Sequence, residues 1–420
     1  MNIDRRKFIG NTLTVASGLT LAASGTSCSL DETDSQKPII KPLTNGVQFI
    51  STEERINRIN SAKKLMAQHD FDAIFLESGS SLTYFTGISW WPSERMTAVI
   101  LPANGPLFYI CPAFEEERLR EMVSIEGKFR VWQEHEDPFL LTANILKDLG
   151  IKSGKIGIEE NVRYFISNGL TKTLSNATFT NAFDITAGCR MIKSKNELAL
   201  MKLANQITLE AYKIGFSQLT EGMTQYDLDQ IVGNAFVQLG GDRAWAGSSF
   251  GKYTAFPHGS KTPQKLKEGD LVLIDGGCKL GGYQADITRT TIFGTPTQRQ
   301  KDVWEVVKTA QSKVYEQARA GVSCELLDAT AREVIEKAGF GSGYENFFHR
   351  VGHGIGMDFH EWTYLVKGNK TLMKPGMCFS NEPGIYIYDE LGIRLEDCFF
   401  ITEDGYEAFT PQSPSIEIPI

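Results

Sequence analysis

From Val47 onward the chain alternates stretches of helical hydrophobic spacing with short apolar runs bounded by turn residues. An amphipathic helix is predicted over Glu53 to Gln68, followed by a strand at Ala73-Ile74-Phe75-Leu76. The alternation continues through Leu107 to Ile110, Leu141 to Leu149 and Lys155 to Ile158, which predicts a three-layer α/β domain ending near Asp184. A long helical run over Asn196 to Phe216 follows, with Ser194 as its cap and Glu197 where a capping box needs an acid. Further helices are expected over Gln225 to Leu239, Gln298 to Arg319 and Cys324 to Ala338.

The apolar runs of the second half repeat. Lys267-Glu268-Gly269-Asp270-Leu271-Val272-Leu273-Ile274-Asp275 lies in register over Lys374-Pro375-Gly376-Met377-Cys378-Phe379-Ser380-Asn381-Glu382: Lys, a Gly turn, a short apolar run, a carboxylate. Each unit continues through turn residues into a second strand with its own acid, Asp286 before Ile287 to Phe293 and Glu396 before Asp397 to Phe400. Two similar hairpins with two carboxylates each are expected to face one another across a cleft.

Four carboxylates converging in a poorly hydrated space repel one another unless protonated or neutralised. Asp275, Asp286, Glu382 and Glu396, joined by His353, therefore read as a site for two divalent cations, since carboxylate and imidazole are the donors such ions select. Paired ions lower the pKa of bound water to roughly 7 and polarise a carbonyl, which points to metal-assisted hydrolysis. Four of the six histidines, His258, His349, His353 and His360, fall in the same region. His353 lies in Gly352-His353-Gly354-Ile355-Gly356, whose small neighbours suit a ligand better than a core position. His258 and His360 are candidates for substrate binding and for stabilising a tetrahedral intermediate.

Composition narrows the alternatives. At 420 residues two domains are expected, and a net charge of -8 argues against nucleic-acid binding through bulk electrostatics. Phosphate-loop, dinucleotide and GxSxG motifs are missing from the sequence. Residues 1–30, with Arg5-Arg6-Lys7 before a modestly apolar stretch, read as a twin-arginine export signal, and the polar residues 31–45 as a flexible tether. Export is the resulting expectation, to the periplasm or as a lipoprotein anchored through Cys28, although Gly25-Thr26-Ser27 is a poor lipobox. No later segment reaches the ~18 uninterrupted apolar residues of a membrane span. The other six cysteines lack metal-site spacing and read as small buried hydrophobes.

The motifs Leu273 to Gly277, Ala285 to Thr290, Gly352 to Gly356, Asn381 to Tyr386 and Ile393 to Asp397 resemble, in the same order, those of the creatinase/methionine-aminopeptidase metallopeptidases with the "pita-bread" fold. Within that family the chain is most similar to the Xaa-Pro peptidases, aminopeptidase P and prolidase. The resemblance implies an α+β protein, with a creatinase-type N-terminal domain over 46–185 and a catalytic domain over 186–420 made of a curved antiparallel sheet backed by helices. Leu82 to Gly87 resembles a signature of the first of these.

The resemblance also implies roles. Asp275 would bind one metal, His353 and Glu382 the other, and Asp286 and Glu396 would bridge both. Glu382 would shuttle the proton of the attacking hydroxide, His258 and His360 would flank the scissile carbonyl, and His349 and Arg394 would support the site. Manganese is the expected ion, with cobalt, zinc or iron also acceptable to these donors. Proline-containing peptides are the implied substrates and a homodimer the implied assembly. Trp90 and Trp91 become candidate cleft residues, because a comparable loop in relatives approaches the neighbouring subunit's active site. A non-peptidase hydrolase or lyase on the same fold, or a non-catalytic binding protein, are the alternative readings.

Overall fold

The computed structural model describes residues 41–420, so the leader, Cys28 and most of the tether lie outside the described residues. Six strands, β1 (Ala73–Glu77), β2 (Ala98–Pro102), β3 (Leu107–Pro112), β4 (Gly127–Trp132), β5 (Lys155–Ile158) and β6 (Thr178–Asn181), form one mixed sheet in the order β4-β3-β2-β1-β5-β6. Helices α1 (Thr52–Gln68), α2 (Ser80–Thr86), α3 (Glu116–Met122), α4 (Pro138–Asp148), α5 (Tyr164–Thr173) and α6 (Phe183–Arg190) accompany it.

Strand β1 is buried along its whole length, and its period of two sends alternate residues into two different cores. Ala73 and Phe75 meet Ile145 and Leu146 of α4 and Leu170 of α5. Ile74 and Leu76 meet Ile59, Ala62 and Met66 of α1. Helices on both faces give the three layers that the alternating pattern predicts.

The second half consists of two successive units. In the first, α7 (Lys195–Ser217) and α8 (Gln225–Gln238) precede β7 (Asp242–Phe250), β8 (Leu271–Leu280), β9 (Tyr283–Gln284) and β10 (Ile287–Ile292). In the second, α9 (Gln298–Gln317) and α10 (Cys324–Lys337) precede β11 (Gly352–Gly354), β12 (Glu361–Leu365), β13 (Cys378–Asn381), β14 (Gly384–Ile387), β15 (Leu391–Arg394), β16 (Asp397–Ile401) and β17 (Tyr406–Ala408). Each helix pair buries its apolar face on its own strands. Ile207, Val232 and Phe236 pack with Val272, Ile274 and Ile287. Val303, Val307 and Leu327 pack with Phe379, Ile393 and Phe399.

The expected curved sheet is divided into β10-β8-β7, with β9 on β8, and β12-β11-β13-β16-β17, with β14–β15 as a separate ribbon. Among the described residues one β-bridge joins the two units, where the Glu396 amide donates to the Thr288 carbonyl at 3.0 Å, and the Gln284 amide donates across to the Gly356 carbonyl at 2.8 Å. The repeat extends to the backbone of its turns: Gly269 and Gly376, aligned in sequence, have φ of 83° and 86°, a region that favours glycine.

Helix α7 starts where its capping box predicts, with Ser194 Oγ accepting from the Glu197 amide and the Glu197 carboxylate accepting from the Ser194 amide. Cys111, Cys189, Cys278, Cys324, Cys378 and Cys398 are all buried free thiols, as their apolar surroundings predict. Among the described residues no helix is long and apolar enough to cross a membrane.

Candidate metal centre

Both hairpins deliver their acids to one place. Asp275 lies in β8 opposite Thr288 of β10, and Asp286 sits just before that strand. His353 is the middle residue of β11, Glu382 follows β13, and Glu396 immediately precedes β16. With His258, His349, His360 and Arg394 they line a cavity of ≈ 290 Å³, completed by Trp245, Pro257, Arg350 and Phe359.

Thr288 ties the two units together at the site. Its Oγ1 is 2.6 Å from Asp275 Oδ1, 2.6 Å from Glu396 Oε2, and 2.8 Å from Arg394 Nε, which donates to it. A hydroxyl has one proton to donate, so one of the two carboxyl contacts needs a proton of its own. Burial and the negative charges of Asp286, Glu382 and Asp275 push Glu396 well above the usual carboxylate range. Burial, Asp275 and Glu382 do the same to Asp286. Glu382 is raised by burial, against the pull of Arg394.

His353 is neutral, because burial and the neighbouring His360 push it down to about 3. Its Nδ1 is 3.0 Å from the Gly354 carbonyl, which places the ring proton there and leaves the Nε2 lone pair facing inward. That nitrogen is 3.4 Å from Glu382 Oε1 and 3.6 Å from Asp286 Oδ2. Lone pair and carboxylate oxygens are all acceptors, so protons or a cation must lie between them.

Donor atoms of Asp286, His353 and Glu396 lie within 4.8 Å of one another, and Glu396 Oε1 is buried with no hydrogen-bond partner among the described residues. Unmet acceptors, raised carboxyls and a neutral imidazole with its lone pair exposed make up the donor set that a divalent ion satisfies. The residues present therefore fit divalent metal.

Around this set, Arg394 pairs with Asp275 at 2.5 Å and donates to the Pro257 carbonyl at 2.9 Å and to the Tyr386 hydroxyl at 3.2 Å. His349 Nε2 is 2.7 Å from the Tyr386 hydroxyl, and its Nδ1 is 2.8 Å from the Arg350 carbonyl. Burial and Arg394 push His349 down to about 3, so it too is neutral. His360 stacks obliquely on His353 with ring centroids 4.1 Å apart.

Trp90 and Trp91 do not join this cavity. Trp90 packs beneath Arg118, whose guanidinium is 5.0 Å from its ring, and Trp91 is 85% exposed. Within one chain neither lines the cavity, and Trp90 packs instead against the apolar core that α1 and β1 share. Conversely, Thr288, Tyr386, Trp245 and Arg350 contribute to the site and escape motif reading. Thr288 and Tyr386 stand inside motifs but look like ordinary strand residues, and Arg350 is signalled only by its neighbour His349.

Two family models match the chain: metallopeptidase family M24 over residues 199–403, and the creatinase/prolidase N-terminal domain over 58–192. An Xaa-Pro dipeptidase of Lactobacillus helveticus is 34% identical over 359 residues, covering 83% of this chain and 95% of that protein. The chain belongs to metallopeptidase family M24. Among solved structures, a prolidase from Thermococcus sibiricus has a TM-score of 0.80 at 29% identity, covering 86% of this chain and 98% of its own. A dipeptidase from Mycobacterium ulcerans has a TM-score of 0.82 at 28% identity, covering 89% and 100%. Creatinase-type and pita-bread halves are thus the architecture of this M24 member.

The matches correct the expectation of export. Xaa-Pro dipeptidases from two Lactobacillus species align over 95% and 98% of their own length while covering 83% and 86% of this chain. The N-terminal family match begins only at residue 58. The relatives thus match over nearly their whole length while leaving part of this chain unmatched, and a periplasmic location and lipidation at Cys28 have no support in them.

Proposed function

We propose that this M24 member is an Xaa-Pro dipeptidase, hydrolysing the peptide bond that precedes proline in a dipeptide with two divalent ions. The observation that carries the reading is the convergence of four carboxylates and a neutral imidazole in one cavity of ≈ 290 Å³. Relatives named Xaa-Pro dipeptidase and prolidase support the same substrate class.

In this reading Asp275, Asp286, His353, Glu382 and Glu396 would hold the two ions. Bound there, the ions supply Lewis-acid polarisation of the scissile carbonyl and hydroxide at neutral pH. Manganese is the proposed ion on the strength of the family resemblance, and the donors alone would also accept cobalt, zinc or iron. Glu382, raised by burial, takes the proton of the nucleophile and returns it to the leaving imino nitrogen. His258 and His360 face the developing oxyanion from the cavity wall, and Arg394 offsets the negative charge of the acids. A homodimer is part of the proposal, and the exposed Trp91 is the residue that would meet a second subunit.

Purified protein offered Xaa-Pro dipeptides, Xaa-Pro-Yaa tripeptides and Xaa-Ala dipeptides, with and without manganese, tests the reading. Fast manganese-dependent cleavage of Xaa-Pro dipeptides is expected, with tripeptides and Xaa-Ala at least about tenfold slower. Faster tripeptide cleavage would turn the enzyme into an aminopeptidase, and no cleavage of any peptide would sink the peptidase reading.

A further inference from the structure

His360 reaches the cavity on a short loop, and among the described residues no hydrogen bond anchors its ring; its one ring contact is with His353 at 4.1 Å. Its placement must therefore come from the backbone that carries it. The next residue, Glu361, opens β12 and stays outside the cavity lining. Its carboxylate meets Arg190 Nη2 at 2.5 Å and Lys193 Nζ at 2.9 Å, with all three side chains 2% exposed. Glu361 Oε1 also accepts from the amides of Met357 at 2.8 Å and Asp358 at 3.2 Å, so the loop closes on its own carboxylate.

The clamp is rooted in the N-terminal half. Arg190 ends α6, donates to Ser81 of α2 at 3.0 Å, and reaches Asp358 Oδ2 at 2.7 Å. Ser80 donates to the other oxygen of Asp358 at 2.5 Å. Two cations face two carboxylates, and the third acid nearby, Glu159, is raised by burial and bonded to Ser81. A Cβ on Gly356 would fall 2.6 Å from Glu361 Oε2, so the loop is pressed directly onto the clamp. Buried ion pairs are poor sources of net stability, but a directional, fully bonded one fixes geometry where apolar packing would leave slack.

We infer that Glu361, held by Arg190 and Lys193, is a positioning residue for His360, through which the N-terminal half sets the histidine's distance from the scissile bond. The inference rests on reading the cavity as an Xaa-Pro site. Displacing a group by about 1 Å costs on the order of a hundredfold in rate, so partial loosening should cost less and act on kcat.

Steady-state kinetics of Lys193→Met and Glu361→Gln on an Xaa-Pro dipeptide, alone and with His360→Ala, provide the test. Lys193→Met is expected to lower kcat about tenfold with KM within about twofold, and Glu361→Gln to lower it further. With His360→Ala present, neither substitution should lower kcat again, because the group they position is gone. Arg58→Met breaks another buried ionic contact between the same halves, with Glu197 at 3.5 Å, and should leave kcat unchanged. Hydrogen exchange of the Met357 and Asp358 amides reads the clamp without catalysis and should quicken in both clamp variants while β8 stays protected. Unchanged kcat in Lys193→Met, or losses that multiply with that of His360→Ala, would overturn the inference. Should Glu361→Gln fail to fold, Lys193→Met, which keeps the Arg190 pair, carries the test. A wild-type protein that cleaves no Xaa-Pro dipeptide would overturn the parent reading instead, leaving the exchange result to judge the clamp.

Discussion

Glu396 is the residue whose surroundings most require a cation: one oxygen meets Thr288, the other is buried without a partner, and its charge is opposed by three acids. Together with Asp286, it keeps its proton in the metal-free fold at pH values where a free carboxyl has lost it. A carboxyl raised on folding binds more protons in the folded than in the unfolded chain, so stability falls as pH rises from the ordinary carboxylate range towards the folded value. Metal displaces those protons, and its affinity must rise over the same window. The increase in Tm on adding manganese should therefore be larger at pH 8 than at pH 5, as calorimetry would record. Glu396→Gln removes the need to take up that proton on folding; it should raise the metal-free Tm at pH 8 and weaken metal binding tenfold or more. An equal metal-induced shift at both pH values would contradict this account of the residue.

At the scale of elements, the site depends on how closely β11 lies against β13. A Cβ at Gly352 would fall 2.1 Å from the Ser380 carbonyl oxygen, closer than any contact allows. Gly352→Ala must push the strands apart and move His353, whose amide bonds to Ser380 Oγ at 3.1 Å. Metal affinity measured by titration is expected to drop at least tenfold, with far-ultraviolet circular dichroism unchanged. Such elements were legible where the signal is local. Glu53 to Gln68 is predicted and Thr52–Gln68 observed; the Ser194/Glu197 box starts α7; and the Lys-Gly-apolar-acid repeat becomes two strand units with matching left-handed glycines. What stayed hidden rests on pairings across the chain. Thr288 bridging Asp275 and Glu396, and Glu361 clamped by Arg190 and Lys193 about 170 residues away, leave no periodicity in the sequence. The division into two sheets and a ribbon was equally illegible, because it too is set by pairings across the chain.

Over the whole molecule, the two halves are not independent. One apolar core runs from Ile74 and Leu76 of the N-terminal sheet through Leu200 and Ile207 of α7 to Val272 and Ile274 beside the acids. This continuity lets a clamp rooted in α6 act on a loop at the cavity without slack between them. The arginine-led leader lies outside the described residues, and a location drawn from its charge pattern did not survive comparison with relatives. In the proposed reading, the two hairpins hold divalent ions where an Xaa-Pro bond is cut. Titrating chelator-stripped protein with manganese, while following bound metal and hydrolysis of an Xaa-Pro dipeptide in the same samples, tests it most directly. Hydrolysis returning as two ions bind per chain, and failing to return in Glu396→Gln, is the predicted result; full hydrolysis in the stripped protein, or two ions bound with none, would contradict it.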